Sequence, residues 1–252
     1  MIKLILSGCN GKMGTVISNL VKNDDNVEIV AGFDINTDAP NGYPVFAAPE
    51  EFNGSADVII DFSHPACFDS VLDYAVRTNT AVVFATTGLS DEQREAMKKA
   101  SEKAPIFFSA NMSIGVNLLI ELVQQAAKVL EENFDIEIIE KHHNQKIDAP
   151  SGTALAIADA INEAVESKKE YIYDRHSVRK KRSASEMGIH TLRGGTIVGE
   201  HEIIFAGRDE IIKLSHSARS KEIFAVGAVN ASLFLKQQNK GIFTMSDLLA
   251  DK

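Results

Sequence analysis

The chain has 252 residues, 44% hydrophobic and 24% charged, and its 35 acidic against 26 basic side chains leave a net charge of −9. That length suits two domains or one with an insertion, and the acidic balance excludes a nucleic-acid partner, whose phosphates require a basic face. No apolar run is long enough to span a bilayer, so no membrane partner is expected; the start reads as a strand entering a turn, and the two cysteines, Cys9 and Cys67, form neither a disulfide framework nor a metal-ligand spacing, which together point to a cytoplasmic protein without a metal site.

Up to residue 111 short apolar strands alternate with helical spacing. Residues 3–7 read as a strand and 12–22 as a helix, and between them stands Gly8-Cys9-Asn10-Gly11-Lys12-Met13-Gly14. This G-x-x-G-x-x-G meets the demands of a dinucleotide loop: a tight turn, close backbone approach to a pyrophosphate, and helix–strand packing. The next strand, 27–34, ends in Asp34, about 20 residues beyond the last glycine, where an acid holds a ribose hydroxyl pair. Strands at 56–63, 81–86 and 105–109 follow, with helices at 66–77 and 91–101. Near-continuous apolar strands separated by helices imply a parallel sheet covered on both faces, the doubly wound α/β plan. Ala85-Thr86-Thr87-Gly88 and Ser109-Ala110-Asn111-Met112 close two of these strands; each either lines the nicotinamide side of a cofactor or is a plain polar turn. Cys9 sits at a helix start, where a thiol can be acidified, and is read as a small residue that fits the loop.

Beyond Asn111 the pattern changes. One long helix is expected at 113–131, a strand at 135–140, and a helix after Ser151 carrying Ala154, Ile157, Ala158, Ile161 and Val165 on one stripe. Between the last two lies Glu140-Lys141-His142-His143-Asn144-Gln145-Lys146-Ile147-Asp148-Ala149-Pro150-Ser151-Gly152-Thr153. Ser151 is a natural N-cap, so the N–H groups of Gly152 and Thr153 face the space that His142, His143 and Lys146 can reach. A helix N-terminus beside a lysine and imidazoles makes a pocket for a small carboxylate that needs a proton. Adjacent histidines on an extended segment point to opposite sides and do not share a metal. His64, His176, His190, His201 and His216 lack such company and are read as structural or surface residues. The segment 178–187 is polar and expected to be mobile, the basic run from Arg175 to Arg182 is read as a solvated loop, and 189–192, 200–206 and 210–215 are expected to be antiparallel strands before a final helix at 221–236 and a short tail.

These segments together resemble the 4-hydroxy-tetrahydrodipicolinate reductase (dihydrodipicolinate reductase) family over essentially the whole chain. The loop G-C-N-G-K-M-G, A-T-T-G at 85–88, S-A-N-M-S-I-G-V-N at 109–117 and above all H-H-N-Q-K-I-D-A-P-S-G-T-A at 142–154 carry the likeness. It implies a Rossmann-type domain of residues 1–112 and 218–252, with an inserted α+β substrate-binding and tetramerisation domain of 113–217. It implies His142 as catalytic proton donor and acceptor, Lys146 as proton donor, and His143, Gly152 and Thr153 as substrate-binding. Gly8, Cys9, Asn10, Gly11, Lys12 and Met13, with Asp34, Ala85, Thr86, Thr87, Ser109, Ala110, Asn111 and Met112, become cofactor contacts. The implied reaction is reduction of 4-hydroxy-tetrahydrodipicolinate, a small dicarboxylate, by a homotetramer in the diaminopimelate route to lysine. Many family members carry Arg or Lys after the ribose-binding acid, to meet a 2′-phosphate; this chain has Ile35, so NADH is the expected cofactor and NADPH the alternative. The rival readings are a non-catalytic NAD(H)-sensing module, which has no need of H-H-x-x-K beside a helix start, and a reductase of another small imine or keto acid.

Overall fold

The computed structural model describes residues 1–251. In chain order the first elements are β1 (Ile2–Ser7), α1 (Lys12–Val21), β2 (Val27–Phe33), β3 (Val45–Phe46), β4 (Val58–Asp61), α2 (Phe68–Thr78), β5 (Ala81–Phe84), α3 (Asp91–Ala100) and β6 (Pro105–Phe108). Then come α4 (Ile114–Leu130), β7 (Asp135–His142), α5 (Gly152–Ala164), β8 (Glu170–Ile172), β9 (Glu186–Arg193), β10 (Gly199–Ala206), β11 (Ile211–Ala218), α6 (Glu222–Leu235), β12 (Gly241–Phe243) and α7 (Met245–Ala250). The chain divides into two compact units: Met1–Ile114 joined by the segment from Glu222, and Gly115–Lys221. Each crossing lies a few residues past 112 and 217, because Ile114 packs into the core of the first unit and β11 continues to Ala218.

The first unit is a seven-stranded parallel sheet in the order β12-β6-β5-β4-β1-β2-β3. Every residue of β4 and β5 is buried, as strands covered on both faces must be. One face packs against α1, α6 and α7 through residues such as Ile17, Ala228 and Leu248; the other packs against α2 and α3 through Phe68, Val71 and Met97. Strand order reverses between β1 and β4, which places the switch-point crevice of a doubly wound sheet beside the glycine loop. Three elements of this unit escape sequence reading: β3 has two residues and β12 three, too short for any periodicity, and the short tail supplies β12 and α7. No helix among the described residues is long and apolar enough to cross a membrane.

The second unit is a five-stranded mixed sheet, β11-β10-β7-β9-β8. β7 alternates strictly, burying Ile136, Ile138, Glu140 and His142. Ile136 and Ile138, with Ile203 and Phe205 of β10, pack against Leu119 and Val123 of α4 and Ile157 and Ile161 of α5. On the opposite face lie Ile139, Leu192, Ile204 and Ile211, the last 62% exposed. The expectation of three successive antiparallel strands holds only for β10 and β11. β9 runs parallel to β7 and β8, and the 194–198 connection carries the chain across the end of β7 to β10. The polar segment 178–187 is held, contrary to expectation: Arg182 donates to Glu137, Asp135 and the carbonyl oxygens of Ile136 and Glu186, and its last residues form the start of β9. Arg175 and Lys180 of the basic run pair with buried Glu186.

Candidate active site

The cofactor-type residues gather at the carboxyl edge of the first unit's sheet. Gly8 has φ +76°, and a Cβ there would fall 2.9 Å from the carbonyl oxygen of Phe62, so the loops after β1 and β4 touch through bare backbone. A Cβ on Gly14 would lie 2.3 Å from the carbonyl oxygen of Gly8, which folds the loop tightly onto the start of α1. Gly11 caps that helix without a side-chain hydrogen bond, leaving its first N–H groups for another acceptor. Asp34 accepts from the N–H of Asn10 and from that of Asn36, both at 3.0 Å, and Asn41 donates to the side-chain oxygen of Asn10 at 2.8 Å. Ile35 is 91% exposed and Lys12 also faces outward. Cys9 is buried; burial, with the charge of Asp34 behind it, pushes its thiol up to about 11, so it is a packed, un-ionised group.

Thr86 is buried and donates its hydroxyl to Asp61 at 2.6 Å, while Thr87 is exposed beside it. Ser109 donates to the carbonyl oxygen of Asn111 at 2.8 Å, and the side-chain oxygen of Asn111 accepts from the N–H of Ser113. Ala110 is exposed, whereas the Met112 side chain lies in the core. A Cβ on Gly227 of α6 would overlap the Met112 carbonyl oxygen at 1.6 Å, so this helix seats directly on the turn. Sequence reading passed over Asp61, the fully buried acceptor that joins the ends of β4 and β5 through Ser63 and Thr86. An uncapped helix start, a glycine loop closed on itself and an acid at the tip of β2 fit a dinucleotide: pyrophosphate at α1, ribose at Asp34.

The residues expected to move a proton lie in the second unit. Strand periodicity places Glu140 and His142 on one face, and Glu140 accepts from His142 Nδ1 at 2.6 Å. Glu140 is fully buried and also accepts from Arg193 at 2.8 Å on each oxygen, the N–H of Ser151 at 3.0 Å and the hydroxyl of Thr191 at 3.0 Å. Burial pushes this carboxyl up, but the hydrogen bonds from Arg193, His142, Ser151 and Thr191 outweigh it and hold it at about 2. His142 is itself buried, and its ring meets that of His201 edge-on, with centroids 5.3 Å apart. His143 lies just past β7, with a buried Nδ1 that has no hydrogen-bond partner among the described residues.

Lys146 Nζ pairs with Asp148 at 2.9 Å, and that contact, helped by the N–H of Gly152, holds the Asp148 carboxyl below its usual range. Ser151 caps α5 by accepting from the N–H of Ala154 at 3.1 Å, and its hydroxyl meets His201 Nε2 at 3.0 Å. A Cβ on Gly152 would meet nothing within 4 Å among the described residues, so that flank of the first turn is open. Thus His142, His143, Lys146, Gly152 and Thr153 lie on one run, from the end of β7 to the first turn of α5. His201, read as structural, belongs beside them; burial, then the neighbouring His142, lowers it to about 4. Glu140, Arg193 and His201 were missed. An E-x-H pair on a strand was the available signal for Glu140, and none existed for the other two.

Two family models match the chain: dihydrodipicolinate reductase, N-terminus, over residues 2–112, and dihydrodipicolinate reductase, C-terminus, over 115–249. The 4-hydroxy-tetrahydrodipicolinate reductase of Caldanaerobacter subterraneus subsp. tengcongensis is 53% identical over 249 residues, covering 99% of this chain and 98% of that protein. The enzyme of the same name from Clostridium novyi is 48% identical over the full length of both. Among solved structures, a dipicolinate-bound dihydrodipicolinate reductase from Paenisporosarcina sp. TG-14 superimposes with a TM-score of 0.83 at 27% identity, covering 97% of each chain.

Proposed function

The chain belongs to the dihydrodipicolinate reductase family, and we infer that it reduces 4-hydroxy-tetrahydrodipicolinate to tetrahydrodipicolinate in the diaminopimelate route, using a nicotinamide nucleotide. Beyond that membership, one observation carries the reading: a buried histidine bonded to a buried carboxylate stands on the same run as a lysine and a helix start whose flank at Gly152 is open. The nicotinamide supplies the hydride. What remains for the protein is to gather a dianion and deliver a proton as negative charge develops on it. His143 and the N–H groups of Gly152 and Thr153 bind carboxylate, an arrangement supported by the unpartnered Nδ1 of His143 and the open space at Gly152. His142 and Lys146 provide the proton. The positive potential is local, in a chain whose net charge is −9.

NADH is the preferred cofactor in this reading. Asp34 accepts two hydrogen bonds from an unmodified ribose and repels a 2′-phosphate, and exposed Ile35 offers no cation to offset the repulsion. Gly8 to Met13, Ala85 to Thr87 and Ser109 to Met112 complete the cofactor contacts, with Met112 taking part through its backbone, since its side chain is in the core. The active form is a homotetramer assembled through the strands between Ile189 and Ser215, whose Leu192, Ile204 and Ile211 stand on the face turned away from α4 and α5. The test of the reaction is a spectrophotometric assay of NADH loss with substrate generated in situ by the preceding synthase. Absence of turnover with either NADH or NADPH would overturn it.

A further inference from the structure

We propose that Glu140, clamped by Arg193, is a positioning residue that holds His142 as its Nδ1–H tautomer, leaves Nε2 as the atom that exchanges the substrate proton, and ties the Lys146 loop and the start of α5 to the same anchor. The claim that Nε2 exchanges a proton rests on the reductase reading above; the tautomer itself does not.

Every neighbour of the Glu140 carboxylate is a donor. Oε1 accepts from the N–H of Ser151, the hydroxyl of Thr191 and Arg193 Nη2; Oε2 accepts from Arg193 Nη1 and lies 2.6 Å from His142 Nδ1. An ionised carboxylate only accepts, so the proton of the neutral imidazole sits on Nδ1 and the lone pair on Nε2. Nε2 takes up a proton from solvent, giving an imidazolium bonded to Glu140, before delivering it to substrate. The fold leaves that second nitrogen clear of side chains at one critical place. A Cβ at Gly199, the first residue of β10, would lie 3.0 Å from Nε2, and glycine has none.

Arg193 extends the anchor. Its Nη2 also donates to the carbonyl oxygen of Asp148 at 2.6 Å, in the loop that carries Lys146. Its own backbone is fixed against the histidine segment, since Gly194 donates to the carbonyl oxygen of His142 at 2.9 Å and Asn144 to that of Gly195 at 3.2 Å. One planar guanidinium, using a bidentate fork on a buried carboxylate and further bonds to the carbonyl oxygens of Asp148 and Leu192, therefore sets three parts of the site: the imidazole, the lysine loop and, through Glu140, the N–H of Ser151. Lysine at 193 would keep the charge and lose the fork.

Glutamine at 140 makes the sharpest test. Its single amide oxygen is drawn to the side where three donors converge, which turns the NH2 toward His142 Nδ1; that nitrogen must then accept, and the ring proton moves to Nε2. We expect ¹⁵N-histidine spectra, recorded at a pH where the ring is neutral and assigned with His142→Gln, to show Nδ1–H in the wild type and Nε2–H in Glu140→Gln. In Glu140→Gln, kcat should fall by about 10²-fold or more, because an Nε2–H on a neutral ring is a far weaker acid than an imidazolium held by a carboxylate, with NADH KM within about twofold. Arg193→Lys should keep the wild-type tautomer but raise substrate KM, because the Asp148 carbonyl and the lysine loop lose their tie. Wild-type protein with its proton on Nε2, or a Glu140→Gln enzyme that keeps kcat within about threefold, would overturn the proposal. If Glu140→Gln does not fold, the wild-type spectrum alone decides the tautomer. Wild-type protein that shows Nδ1–H but consumes no NADH with substrate would overturn the reaction and the role of Nε2, and would support the tautomer.

Discussion

Lys146 Nζ stands 2.9 Å from a carboxylate oxygen of Asp148, and the same carboxylate feels the N–H of Gly152 at the start of α5. The lysine expected to provide a proton is thus already paired with a carboxylate, beside the group expected to receive a substrate carboxylate. Its work should appear in the transition state, because the proton is needed only after hydride has arrived. Lys146→Ala and His142→Gln should each lower kcat by about 10²-fold or more, with NADH affinity almost unchanged. If both serve one proton-transfer step, the double variant should lose less than the product of the two. Near-normal kcat in Lys146→Ala would leave this lysine as a carboxylate anchor at most.

His143 should behave differently from its neighbour. Among the described residues its buried Nδ1 has no hydrogen-bond partner, and a bound carboxylate would supply one. His143→Ala should raise substrate KM more than it lowers kcat. Steady-state kinetics in which kcat falls and KM stays constant would move His143 from binding to chemistry.

The cofactor preference turns on two adjacent residues. Asp34 is tied to the N–H groups of Asn10 and Asn36, and Ile35 is 91% exposed with no positive charge to offer. NADH should be used at least as well as NADPH. Ile35→Arg should improve NADPH use by about 1–2 kcal/mol in kcat/KM, the worth of one charge-assisted contact. A wild-type enzyme with a strong NADPH preference would show that Lys12 or another base governs the site.

Acid should destabilise the second unit in two stages. His201 is buried neutral and lowered from 6.5 to about 4, so as pH falls through that window the unfolded chain takes up a proton that the folded one refuses. The stability that neutral His201 contributes is therefore complete above pH 6.5 and is lost toward pH 4. Glu140, lowered from 4.5 to about 2, extends the decline below pH 4.5, since there the unfolded carboxyl is protonated first. Urea midpoints should fall between pH 7 and 4.5 in the wild type and fall less in His201→Gln, which can still bond Ser151. An equal fall in both would remove His201 as the cause.

Assembly should be sensitive to charge on the outer sheet face. Leu192 and Ile211 are 48% and 62% exposed there, and Ile204 lies between flanking polar residues. Light scattering should report a tetramer, and Ile204→Glu should shift the population toward smaller species. A wild-type monomer stable at micromolar concentration would sink the claim.

Much of the fold and of the proposed site was legible because it obeys local rules. The glycine loop is dictated by a turn that a Cβ at Gly8 or Gly14 would obstruct, and the α5 start by the Ser151 cap, both of which act within a few residues. The strand–helix alternation of the first unit follows from burial on both faces of β4 and β5. Tertiary structure decided the rest. β3, β8 and β12 exist because a neighbouring strand offers its edge, not because two or three residues prefer to be extended. β9 lies parallel to β7 because the pairing is chosen by burial across the whole sheet, and that pairing brings Thr191 and Arg193 onto Glu140, more than fifty positions earlier. Histidine and lysine side by side announce that a proton can be moved. Which nitrogen moves it depends on a buried carboxylate and an arginine that meet only once the strands are in register, since hydrogen-bond direction is a property of assembled neighbours and not of sequence spacing.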